Sequence, residues 1–224
     1  MSVYNNKVIL ITGGTTETGQ MLVRHALECG AKEIRMFDCN EERLVIMRDE
    51  LLAQNPDAAS KVKHYCADMN DSESVDDSMP GVDLVLCIPT LKAVTDIESY
   101  PADACRDLID SVDNVMQSAI KHGVEKVVVL TPVYKEPLYK TPDLLAALLE
   151  KVVIAQGRYQ KKDAKTRICC TRKEGDVLGL VDYAIAHANN ADLVVNHNGG
   201  YQCQPCYNPG FERDDLTNIK YGAL

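Results

Sequence analysis

The chain has 224 residues, 46% apolar and 25% charged, which excludes a disordered polymer and leaves enough apolar side chains for one α/β domain. Its 33 Asp and Glu against 24 Lys and Arg give a formal charge of -9 and a pI near 5.0, so electrostatics would repel nucleic acid and anionic membrane surfaces. The longest apolar runs, Val8 to Ile11 and Val127 to Leu130 among them, fall far short of the ~20 residues that span a bilayer. Met1 to Lys7 is mostly polar and leads straight into a strand, without the apolar core of a secretory leader, so the expected location is the cytoplasm.

In chain order, the β-branched run from Lys7 to Ile11 predicts a strand, closed by the glycine turn Thr12-Gly13-Gly14. Glu17 to Cys29 follows as a helix, with Met21, Leu22, His25, Ala26 and Cys29 at helical spacing. Ile34 to Phe37 predicts a second strand ending at Asp38, and Glu41 to Gln54 a helix with Leu44, Met47, Leu51 and Leu52 on one face. Val62 to Cys66 is the third strand, a polar, turn-rich stretch runs to Gly81, and Asp83 to Ile88 is the fourth. From Ala102 to Lys121, Leu108, Ile109, Val112, Val115, Met116, Ala119 and Ile120 trace one helical stripe that stops before Gly123.

Lys126 to Leu130 predicts the fifth strand, and Pro142 suits the first turn of an apolar helix reaching about Tyr159. Ile168 to Thr171 is a sixth strand, Val177 to His187 a helix, and Asp192 to Val195 the last strand. Strands alternating with helices predict a doubly wound parallel sheet, Rossmann-like and a single domain over residues 1–195, followed by a polar tail over 196–224 that carries Tyr and Cys. The strand order should reverse between the first and fourth strands, which is where a ligand would lie.

Nine cysteines are scattered and odd in number, and Cys29, Cys66, Cys87, Cys105, Cys169 and Cys170 fall inside predicted elements, where they are expected to pack as small apolar groups. Cys203 and Cys206 form one C-x-x-C. A closed zinc site takes four ligands and only His197 is near, so no metal is expected.

A pyrophosphate at the reversal point needs a tight turn, a bare backbone and a helix N-terminus. Gly13, Thr15, Thr16, Glu17, Thr18 and Gly19 are the candidate residues. Gly13 suits the turn and Gly19 the close packing of helix on strand, but Thr16 stands where a middle glycine ordinarily admits the phosphate, and Glu17 adds a negative charge. Asp38 is placed to accept both ribose hydroxyls and to oppose a 2′-phosphate, which favours NAD over NADP. Asp68, with Met69 beside it, is placed to accept from an adenine amino group. Each of these also has a bland role: a structural turn that binds nothing, or an acid capping a strand end.

Beyond this turn, Cys66-Ala67-Asp68, Gly81-Val82-Asp83-Leu84-Val85, Thr90-Leu91-Lys92-Ala93-Val94 and Glu98 to Pro101 resemble the extended short-chain dehydrogenase/reductases. The similarity is to the polysaccharide-biosynthesis group of nucleotide-sugar 4,6-dehydratases and epimerases. Asn114-Val115 through Ala119-Ile120-Lys121-His122-Gly123-Val124-Glu125-Lys126-Val127-Val128 matches best, and Asp182 to Val195 resembles a late helix and strand of the same group. The resemblance runs from Lys7 to about Val195.

The catalytic motifs depart from the family. Its strand-five Ser-Thr-Asp-Lys corresponds here to Thr131-Pro132-Val133-Tyr134, and its Tyr (or Met)-x-x-x-Lys to Pro142 and Ala146. None of the ten tyrosines has a lysine four residues later. The asparagine of the long helix becomes Leu108, the Arg-x-Gly-Asn-Val-x-Gly stretch becomes Arg172 to Gly179 with one inserted residue, and the sugar-nucleotide segment that should follow is replaced at once by Leu180. Thr131, Tyr134 and Lys92 are the remaining catalytic candidates; Tyr134 otherwise packs at the strand end, and Lys92 lies on a solvated loop or pairs with Glu98.

The resemblance therefore implies a catalytically depleted relative acting as a weak dinucleotide-binding or protein-interaction module, with NAD preferred over NADP or no cofactor at all. The alternative is an active NAD(P)-dependent dehydratase, epimerase or reductase using substituted residues. A homodimer is expected through the helices at Ala102 to Lys121 and Pro142 to Tyr159, with Leu148, Leu149, Val152 and Val153 at the seam.

Overall fold

The computed structural model describes residues 2–90, 94–159, 165–197 and 200–205. Its elements are, in chain order, β1 (Val8–Thr12), α1 (Glu17–Glu28), β2 (Glu33–Asp38), α2 (Glu41–Gln54), α3 (Pro56–Ala59), β3 (Val62–Cys66), α4 (Ser72–Ser78), β4 (Leu84–Cys87) and α5 (Val94–Ser99). There follow α6 (Pro101–His122), β5 (Lys126–Thr131), α7 (Thr141–Tyr159), β6 (Arg167–Arg172), α8 (Val177–His187), β7 (Asp192–His197) and β8 (Gly200–Pro205). One sheet runs β3-β2-β1-β4-β5-β6-β7-β8, parallel from β3 to β7, so the winding reverses between β1 and β4 as expected.

The core explains the strand sequences. Residues of β4 and β5 are buried throughout because helices cover both faces, so these strands read as continuous apolar runs. Ile9, Ile11, Leu22, Leu44 and Val181 meet on the face of α1, α2 and α8; Leu10, Val85, Val112 and Leu149 meet on the face of α6 and α7. On α6, Leu108, Val112, Val115, Met116 and Ala119 are buried, with Ile109 and Ile120 at the margin. The helix stops at Gly123, whose φ of 66° is the left-handed cap that glycine adopts without strain.

The buried amine of Lys126, 4% exposed, donates to the carbonyls of Ala184 (3.1 Å) and Ile185 (2.6 Å) in the last turn of α8. A cation there meets the negative end of the helix dipole, the Ala184 carbonyl also accepting from Ala188 N at 3.0 Å.

Several expectations need correction. The stretch read as polar turns contains α4, whose single apolar residue Val75 is buried and whose Asp71 side chain accepts from Glu73 N and Ser74 N. The sheet continues past residue 195: β7 reaches His197, and β8 pairs antiparallel with it. Tyr201 and Cys203 alternate with exposed Gln202 and Gln204 and pack on the core, a two-residue period inside the expected tail. Cys206 and the rest of that tail lie outside the described residues.

Of the cysteines expected inside, Cys87, Cys169 and Cys170 are buried, and burial pushes the Cys87 and Cys169 thiols up to about 12. Cys66 is exposed, at the end of an edge strand. Met21 and Leu52 also face outward. Leu149 and Val153 are fully buried in the chain's own core, so they do not form a dimer seam; Leu144 and Leu148 are exposed leucines of α7. No helix among the described residues is long and apolar enough to cross a membrane.

Candidate nucleotide crevice

At the carboxyl edge of the sheet, the Thr12 hydroxyl accepts from Ile88 N at 3.0 Å and ties the ends of β1 and β4 together where the winding reverses. Gly13 follows with φ +60°, and a Cβ on it would meet the Ile88 carbonyl oxygen at 2.8 Å, so only glycine fits. A Cβ on Gly19 would run into the Gly13 carbonyl and lie 2.7 Å from Gly14 Cα, which is the close approach of α1 to the turn.

Thr16 caps α1: its hydroxyl accepts from Gly19 N at 3.1 Å and donates to Gly13 O at 2.7 Å. Glu17 lies in the first turn, a favourable place for a carboxylate against the helix dipole. Thr18 is the next residue of that turn. The N–H groups of Gly14, Thr15, Thr16 and Gly19 donate to Phe37 O, Asp38, Gly13 O and the Thr16 hydroxyl, so four donors of the turn already have protein acceptors.

Asp38 holds the turn from the next strand. Its Oδ2 accepts from Thr15 N (3.0 Å) and Thr15 Oγ1 (2.8 Å), and its Oδ1 from Asn40 N (3.0 Å). Asp68 Oδ1 accepts from Asn70 N at 2.8 Å, and Asn114 on α6 donates to Met69 O at 3.0 Å, which fixes the loop after β3. Between these loops and α6 lies a cavity of about 230 Å³, with Phe37, Ile97 and Leu108 as apolar walls and Gly13, Asp38, Asp68 and Met69 among its lining. The structure thus gathers four of the expected binding residues around one space, while Thr15, Thr16, Glu17, Thr18 and Gly19 build the turn beside it.

The half of the edge beyond β4 is different. Thr131 is fully buried and its hydroxyl donates across the sheet to Thr171 O at 3.3 Å. Tyr134 donates to Glu150 Oε1 at 3.0 Å and accepts from Arg172 Nη2 at 2.7 Å, with the guanidinium 4.5 Å from its ring centroid. Arg172 also grips Glu150 through Nε to Oε2 at 2.8 Å and Nη2 to Oε1 at 3.1 Å. Glu150 is fully buried; burial pushes its pKa up, but the hydrogen bonds and charge of Arg172 outweigh this and hold the carboxyl below its usual range. Burial and the Glu150 carboxylate push the Tyr134 phenol above its ordinary value.

Glu150 and Arg172 were missed as a pair because each looks ordinary in sequence. A lone acid in the run Leu148 to Val153 was the available signal, since such a residue stays buried only with a partner. Of the catalytic candidates, Thr131 and Tyr134 are accounted for above, and Lys92 lies outside the described residues. Glu98, its expected partner, accepts from Thr141 N (3.2 Å) and Thr141 Oγ1 (2.7 Å).

The reversed parallel sheet, glycine turn and strand-end carboxylate together define a Rossmann-like nucleotide-binding fold of the short-chain dehydrogenase/reductase type. Within it the chain belongs to the polysaccharide biosynthesis protein family, whose model matches residues 9–181, and to its nucleotide-sugar dehydratase and epimerase group. It is 36% identical over 203 residues to the UDP-glucose 4-epimerase of Rickettsia bellii (strain RML369-C), covering 86% of this chain and 57% of that one. The chain spans about half the length of the curated relatives it matches.

Among solved structures, Pen from Bacillus thuringiensis aligns with a TM-score of 0.68 and 22% identity, over 83% of this chain and 59% of that one. The dTDP-glucose 4,6-dehydratase DesIV from Streptomyces venezuelae, solved with NAD and TYD bound, aligns with a TM-score of 0.58 and 18% identity, over 74% of this chain and 55% of that one. At these identities the likeness establishes the fold.

Proposed function

We propose that this chain is a catalytically depleted member of its family, a cytoplasmic homodimer that keeps a weak dinucleotide crevice preferring NAD over NADP. The observation that carries the reading is the state of Tyr134. It is the one tyrosine at a position matching the family's catalytic strand end, yet its hydroxyl is held between Arg172 and the buried Glu150. A phenol whose pKa is raised this way is a poor base near neutral pH, where efficient proton transfer asks for a group titrating near the working pH. Ala146, where the family has a lysine, is buried and brings no amine. Exposed Leu144 and Leu148 on α7 supply the apolar patch for pairing of two copies.

NAD fits this crevice at one end. Asp38 and Asp68 suit a ribose and an adenine amino group, and the acidic side chain of Asp38, already bonded to Thr15 and Asn40, opposes a 2′-phosphate. At the other end, the residues that would serve hydride and proton transfer on a sugar do not fit, so no chemical step is assigned.

The test is incubation of the purified chain with NAD and UDP-N-acetylglucosamine, with mass spectrometry for loss of water and chromatography for an epimer. Neither product is expected. Steady-state product abolished by Tyr134→Phe or Lys92→Ala would make this a working enzyme with a relocated site.

A further inference from the structure

We infer that the affinity of this crevice for nucleotides resides in its adenosine half: the cavity takes an adenine nucleoside, and a 5′ diphosphate with a second nucleoside adds little. This rests on the proposal that the crevice receives an adenine dinucleotide, and it names which part of that ligand is held. The fold class leads one to expect binding along the whole edge of the sheet, and the two ends of the edge disagree.

The first observation is the space itself. The cavity of about 230 Å³ is lined by the ends of β1, β2 and β3, by Thr90 after β4, and by α5 and α6, and no residue of β5 or β6 lines it. Phe37, Ile97 and Leu108 offer apolar walls to a planar base, while Asp68 and Asp38 offer acceptors for an exocyclic amine and for ribose hydroxyls. That set matches a nucleoside, whose donors lie at its two ends and whose faces are apolar.

The second is the turn where a diphosphate would sit. Four of its backbone donors are committed within the protein, and the turn carries the side chain of Thr16 where a glycine would leave bare backbone, followed by the acidic Glu17 in the first turn of α1. The third is the far end, where Tyr134, Arg172 and Glu150 bind one another. Opening that cluster for a second nucleoside would strip the buried Glu150 of the guanidinium that hydrogen-bonds both its oxygens and leave only Lys151 at 3.6 Å, which costs more than a stacking contact returns.

Calorimetric titration of the full chain with adenosine, AMP, NAD and guanosine tests this. Adenosine, AMP and NAD are expected to bind within about threefold of one another, and guanosine at least tenfold more weakly. Cys39→Trp, at an exposed residue on the cavity's lining, should abolish adenosine and NAD binding alike while leaving the melting temperature unchanged.

NAD binding tenfold or more tightly than adenosine would overturn the inference and leave the proposed dinucleotide crevice standing. NAD binding that survives Cys39→Trp in a folded variant would also overturn it, by moving the seat elsewhere. Absence of binding by all four compounds up to millimolar concentration would overturn the proposed crevice and the inference together. A measurement independent of any variant is peptide-resolved alkylation of Cys39. Adenosine should slow it as much as NAD does, and protection by NAD alone would count against the idea.

Discussion

The two halves of the sheet's carboxyl edge are built by opposite means. Around β1, β2 and β3, backbone geometry and hydrogen bonds fix the loops, Thr12 accepting from Ile88 N and Thr15 and Asn40 donating to Asp38, with a cavity beside them. Around β5 and β6, long side chains reach across the edge and satisfy each other, so Glu150, Arg172 and Tyr134 form a closed polar network. A polar cluster that completes its own hydrogen bonds stabilises the fold and has little left for a ligand, whereas a cleft with spare acceptors can bind. The half with Asp38 and Asp68 on the lining of a cavity is the one to which the proposed binding is assigned.

Substitutions should separate these roles. The largest effect is expected for Arg172→Ala, which leaves a fully buried carboxylate without its hydrogen-bonded guanidinium, only Lys151 remaining at 3.6 Å, and should destabilise by about 3 kcal/mol in urea unfolding, with adenosine affinity little changed. An equal loss of adenosine binding would show that the halves are coupled. The same pair has a pH signature. Because the folded-state pKa of Glu150 is depressed, its contribution is complete above the unfolded value of about 4.3 and is lost as pH falls through the folded one. Glu150→Gln should flatten the acid limb of the stability curve below about pH 4.5, and an unchanged limb would assign the acid sensitivity elsewhere.

Next in size is Gly19→Ala, where a methyl group meets Gly13 O and Gly14 Cα; overpacking of this kind costs about 1 to 3 kcal/mol and should also displace the turn, weakening NAD. Asp38→Ala leaves the buried Thr15 N–H and hydroxyl without their acceptor, for about 1 to 2 kcal/mol. It should also bring NAD and NADP affinities together, and a retained NAD preference would remove Asp38 from the specificity argument. The smallest effect is at the cap. Thr16→Ala should cost about 1 kcal/mol and Thr16→Gly only a few tenths. If Thr16→Gly tightens NAD while adenosine stays constant, crowding at the turn is confirmed as a local obstacle.

What could be read from the sequence follows the same division. The parallel strands were legible because burial on both faces gives β1, β4 and β5 unbroken apolar runs, and α6 because its stripe repeats over 22 residues. The glycine turn and Asp38 were legible because a close backbone approach restricts residue type at fixed spacing. Helix α4 escaped because Ser-Glu-Ser-Val-Asp-Asp-Ser offers one apolar residue and its start depends on the Asp71 cap. Strand β8 escaped because Tyr201 and Cys203 make a pattern too short to distinguish from a coil. The pairing of Glu150 with Arg172 joins residues 22 positions apart in sequence, and only the packing of α7 on β6 brings them together.

The Lys126 amine, sealed against the last carbonyls of α8, has a kinetic consequence. A water-soluble acylating reagent reaches that nitrogen only when α8 lifts from the end of β5, and exposed lysines such as Lys121 and Lys151 react without any such opening. The ratio of its labelling rate to theirs therefore measures how often this side of the sheet opens in the native protein. Lys126 is a chemical clock for that motion, present in the chain without an added probe.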